Sequence, residues 1–175
     1  MTENAIAWIC IFPLFGSAFC ALLGMANRKV CHRISVLSMA GALWAGVETL
    51  MQAVRSPSHE VSYLLGGWTL DSYPRGVGIE FRADLMGALI TLVVLGVGLI
   101  VAIYSKLPVE EETPGKEHLF HTLFLLQITG LAGICLTGDA FNLYVLIEVA
   151  ALTGYGLIAI GSKRAAAGAF NYVIL

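Results

Sequence analysis

Apolar residues gather into five stretches separated by short polar connections: Ala5–Gly24, Ile34–Val54, Leu85–Tyr104, Leu119–Thr137 and Ala140–Gly161. A hydrocarbon core of ~30 Å takes about 20 mostly apolar residues in helical form, and each stretch is close to that length. A sixth apolar run covers residues 165–175 and is still running at Leu175, about half a span. The pattern predicts an all-α integral membrane protein, a single membrane domain over residues 1–175 with five complete transmembrane helices and an incomplete sixth.

Two connections carry their own signals. Between the second and third spans, residues 59–68 and 77–81 have strand-like content, with turn formers in Asp71–Gly76 between them. A short surface β-hairpin is expected there, with Trp68 and Tyr73 suited to the membrane interface. Between the fourth and fifth spans only Gly138 and Asp139 intervene, so those helices should be antiparallel neighbours. Asp139 is placed to cap the fifth, where a carboxylate satisfies free backbone N–H groups and complements the helix dipole. The segment Pro108–Glu117 is acidic and contains proline, and reads as a solvated loop.

Composition strengthens the membrane assignment: 58% of residues are hydrophobic, 13% are charged, and the mean hydropathy is +0.81. Soluble domains carry about 25% charge. The net charge of −2 leaves no basic face for phosphates, which excludes a nucleic-acid partner. Seven of the ten basic residues (Arg28, Lys29, Arg33, Lys106, Lys116, Lys163 and Arg164) fall on one side of the predicted topology. The other side has Arg55, Arg75 and Arg82, offset by Glu60, Asp71, Glu80 and Asp84. The positive-inside rule then sets a multi-pass protein of the cell (inner) membrane with its N-terminus outside. Cys10, Cys20, Cys31 and Cys135 form no CxxC pair and read as small buried hydrophobes.

Glu148 is the main candidate for chemistry. It lies eight residues into the fifth span, about 12 Å along the axis at 1.5 Å per residue. A carboxylate there costs roughly 2.5–3.5 kcal/mol on insertion scales. Hydrocarbon disfavours its charged form and a cationic partner restores it, so such a group can load and release a proton. Tyr144, Ala151 and Tyr155 share its helical face, making a polar lining around the carboxylate. The bland alternative is a protonated glutamate that bonds one helix to another. Glu48, with Trp44 and Gln52 as helical neighbours, is a weaker proton candidate, equally explained by a side chain reaching the interface. Gln127 and Thr129 read as interhelical hydrogen bonders. His118 and His121 read as a surface pair, because a metal or haem would need further ligands. No phosphate loop, nucleophile elbow or cofactor fingerprint occurs, so no catalytic residue, cofactor or metal site is assigned.

Three stretches carry a family likeness. They are Gly66–Trp68 with Pro74 and Gly78–Leu85, then Thr137–Glu148 followed by Tyr155, and finally Arg164–Tyr172. Together they resemble the antiporter-like subunits of respiratory complex I and of Mrp-type cation/proton antiporters, most nearly the D subunit of the Mrp type. Asn171 departs from the pattern, where relatives often carry a basic residue. The resemblance implies the N-terminal part of a subunit of about fourteen helices, built from two inverted repeats around a hydrated proton path. It implies that Glu148 is the glutamate that pairs with a lysine on the seventh helix, a helix this chain does not include. Its partners would be other membrane subunits, the bilayer, and a missing C-terminal half or second chain; alone it would be inactive. Any NADH:quinone chemistry would belong to those partners. A non-transporting scaffold subunit, a degenerate fragment and a quinone-binding membrane protein are the competing readings.

Overall fold

The computed structural model describes residues 4–25, 27–65, 79–161 and 163–174. Among these residues, seven helices and one hairpin follow one another: α1 Ala5–Leu23, α2 Arg28–Arg55, β1 Glu60–Leu64, β2 Glu80–Asp84, α3 Leu85–Tyr104, α4 Lys106–Glu112, α5 Glu117–Leu136, α6 Ala140–Ala159 and α7 Lys163–Ile174. Five of them (α1, α2, α3, α5 and α6) are long and apolar enough to cross a membrane, as the hydropathy pattern predicts. The twelve-residue α7 is the shorter sixth run.

α5 is the centre of the bundle. It packs against α1, α2, α3 and α6, and 50% of its span is buried, against only 11% for α6. Its glycines allow the close approach of α6. A Cβ on Gly130 would lie 3.0 Å from the Ala150 amide nitrogen, and one on Gly133 would lie 2.6 Å from a Leu146 methyl. The core around it is apolar, with Ile9, Met39, Leu95, Leu125 and Leu136 fully enclosed.

The hairpin pairs Glu60 with Asp84 and Tyr63 with Phe81 in antiparallel register. Phe81 and Ala83 turn inward while Arg82 and Asp84 stay exposed, the alternation expected of a strand with one covered face. Across the outer face, Arg82 and Glu60 form an exposed ion pair at 2.6 Å. The hydrogen bond and charge of Glu60 hold the guanidinium above its usual range. The expected positions of Trp68, Tyr73 and the turn lie outside the described residues. β2 runs directly into α3, where the Asp84 carboxylate accepts from the Gly87 amide at 2.6 Å.

Two elements differ from the sequence expectation. The loop expected over Pro108–Glu117 is helical in its first half, as part of α4, where Val109 is buried against the bundle while its acidic neighbours face outward. Pro108 sits in the first turn, where its missing N–H costs no helical bond. α2 starts at Arg28 rather than Ile34, so His32 belongs to a helix.

Candidate functional site

α6 begins at a well-built corner. The Asp139 carboxylate accepts from the Phe141 amide at 2.8 Å and the Asn142 amide at 3.2 Å. The Asn142 side chain donates to the Thr137 hydroxyl at 3.0 Å. The hairpin grips the same corner. Phe81 forms a β-bridge with Thr137, and the Gly138 amide donates to the Glu80 carbonyl at 2.9 Å. Capping, hairpin and glycine contacts together set the register of α6 against α5.

From that start the helix carries Glu148 to mid-span on an exposed face. Tyr144 precedes it by one turn and is 67% exposed. Tyr155, at the other end of the stripe, packs edge-on against Tyr172 of α7, with ring centroids 5.6 Å apart. The stripe Tyr144–Glu148–Ala151–Tyr155 is therefore one face of one helix. α7 leans on its far end, and the carboxylate itself is left uncovered by the described elements. The opposite face of α6 packs on α5, where the Thr153 hydroxyl bonds the Gln127 side-chain oxygen at 2.8 Å. Thr129 instead donates to the Leu125 carbonyl of its own helix.

Glu48 is half-buried on α2, and Gln52 donates to it at 3.5 Å. Glu48 and Glu148 are on different helices, and no described contact joins them. The four cysteines are free, with Cys10, Cys20 and Cys31 buried and Cys135 half-buried. Cys20 and Cys31 each point their sulfur at the other's carbonyl, at 3.6 and 3.7 Å.

The histidines correct the surface-pair expectation. His121 is 2% exposed and lies between helices, its Nδ1 3.0 Å from the Ser35 hydroxyl. His32 packs edge-on against it at 5.8 Å between ring centroids. An apolar window beginning at Ile34 leaves His32 outside the predicted span. The usable signal was the three-residue spacing of His32 and Ser35, matched by His118 and His121 on α5.

No protein-family model matches the chain. Curated relatives do. The N subunit of the NADH-quinone oxidoreductase of Desulforudis audaxviator (strain MP104C) is 34% identical over all of this chain and 34% of its own length. The chain is a homologue of antiporter-like membrane subunits. The D subunit of a probable K(+)/H(+) antiporter of Rhizobium meliloti (strain 1021) is 39% identical over 80% of this chain and 23% of its own length. The D subunit of the Na(+)/H(+) antiporter of Bacillus subtilis (strain 168) is 35% identical over 93% of this chain and 31% of its own. The chain spans about a third, or less, of the length of these relatives. The fold agrees. A chain of the membrane-bound sulfane sulfur reductase, an archaeal respiratory membrane complex, superposes with a TM-score of 0.82 at 24% identity, over 98% of this chain and 34% of that one. A chain of the Mrp complex from Dietzia sp. DQ12-45-1b superposes with a TM-score of 0.76 at 22% identity, over 99% and 31%.

Proposed function

We propose that this chain is the N-terminal part of a membrane subunit in a proton-translocating complex, with Glu148 as a proton-carrying group. One observation carries the reading: a mid-span carboxylate stands on the uncovered face of an otherwise apolar helix. An unshielded carboxylate facing lipid would be strongly disfavoured, so this face needs a hydrated or cationic neighbour. Further helices of the same subunit, or a second chain, would supply it. The homologues are named as subunits of a quinone oxidoreductase and of K(+)/H(+) and Na(+)/H(+) antiporters, and the resemblance to that family implies a lysine partner for this glutamate. Tyr144 and Tyr155 would line the path, Glu48 is a secondary proton candidate, and Asp139 holds the helix start.

The rest of the proposal follows from the same argument. Alternating access needs both repeats around the site, so the 175 residues alone would transport nothing. The protein would reside in the cell membrane with its N-terminus outside and α4 on the cytoplasmic side. The deciding experiment is Glu148→Gln in the assembled complex, with transport and subunit content measured together. Glutamine keeps the size and polarity and removes the proton exchange. Transport should fall at least tenfold while the complex stays intact. Undiminished transport in an intact complex would leave an assembly role in its place.

A further inference from the structure

The end of the bundle remote from the hairpin holds a second group of titratable side chains, on a different helix interface from Glu148. His121 of α5 is enclosed, and its Nδ1 contacts the Ser35 hydroxyl of α2 at 3.0 Å. His32, one turn before Ser35, lies edge-on to His121 at 5.8 Å. The Nδ1 atoms of His32 and His118 are buried and have no hydrogen-bond partner among the described residues. Leaving a buried polar atom unmatched is costly, and imidazoles gathered at one helix junction give that junction groups able to exchange a proton.

We propose that His32, His121 and Ser35 form a proton-binding site separate from Glu148, and that it binds a first proton in preference to a second. The proton adds to a ring nitrogen of one imidazole, which then has two N–H donors in place of one donor and one acceptor. Ser35 suits both states. Its hydroxyl can donate to a neutral Nδ1 or rotate to accept from a protonated one. Two imidazolium rings at this separation repel each other, so the second proton is refused over a further interval of pH.

Charged groups face the pair from two helices. Glu117 on α5 acts electrostatically on His121, and Glu110 and Lys106 on α4 act on His32. Cys31 of α2 and Cys20 of α1 border the cluster, and a Cβ on Gly24, which caps the end of α1, would clash with His118 and lie 2.7 Å from the Cys31 sulfur. Occupancy would therefore be felt where α1, α2 and α5 meet.

The test is nitrogen NMR of histidine-labelled complex in lipid nanodiscs, titrated from pH 4.5 to 8.5, with His121→Gln and His32→Gln to assign the signals. In the unmodified complex the pair should titrate in two steps separated by about one pH unit or more. Each single variant should reduce these to one step. Ser35→Ala, a milder change if either glutamine variant fails to assemble, should displace the His121 step. Glu148→Gln should leave all of these curves in place, so the histidine site and the transport role of Glu148 stand or fall separately. Rings silent across the range, or steps unaltered by loss of the neighbour, would overturn the proposal.

Discussion

At the scale of single residues, the polar groups within the spans divide by what their hydrogen bonds reach. Thr153 is the clearest interhelical case, since its hydroxyl lies 2.8 Å from Gln127 on α5 and 2.7 Å from the Val149 carbonyl on its own helix. One proton cannot serve both fully. Thr153→Val keeps the shape and removes the hydroxyl. It should cost about 1 kcal/mol, read as a lower unfolding midpoint in mixed micelles. An unchanged midpoint would mean that the hydroxyl serves only its own helix. Asp139→Ala should likewise cost about 1 kcal/mol through the lost cap, whereas Asp139→Asn should restore most of it. If asparagine fails to rescue, the charge and not the hydrogen-bond geometry is what the corner uses. Glu148 could be located by sequence because one carboxylate in an apolar run is conspicuous. Its exposure could not, because α6 is apolar on nearly every side and periodicity does not say which face meets α5.

At the scale of elements, hydropathy locates the spans because bilayer thickness converts directly into a count of apolar residues. It fails where a helix continues through charged residues or is too short to fill a window. Both misses here are of that kind: α2 extends through its basic start and carries His32 with it, and α4 is held by one buried valine. The α5–α6 pairing was legible from the two-residue turn. Its closeness depends on glycines that have no meaning until the partner helix is known. Gly130→Val should force the pair apart, since even a Cβ there would lie 3.0 Å from Ala150. A destabilisation of about 1–3 kcal/mol is expected from such overpacking. Gly96→Val is the matched control, because a Cβ at Gly96 meets nothing within 4 Å. Equal losses from both changes would show that helix propensity, not the α5–α6 contact, governs the response.

At the scale of the whole molecule, the two ends of the bundle differ in kind. The hairpin end carries Glu60, Glu80, Asp84 and Asp139, with Arg82 tied to Glu60. The other end has the basic connection after α1, the start of α4, and the residues before α7. Lysine and arginine near span ends are retained on the cytoplasmic side, so the hairpin should face outward. Single cysteines placed at Ser62 and at Glu111, both away from the packed core, make this testable in intact cells. A membrane-impermeant maleimide should label the Ser62→Cys protein before lysis and the Glu111→Cys protein only afterwards. The native cysteines lie within the spanning helices, so unsubstituted protein provides the background. The reverse labelling order would invert the topology and put the histidine cluster at the outer surface. The distance of Glu148 from either surface would change little, because a mid-span group is nearly symmetric under that inversion. The orientation therefore bears on which compartment loads the histidines far more than on the case for Glu148.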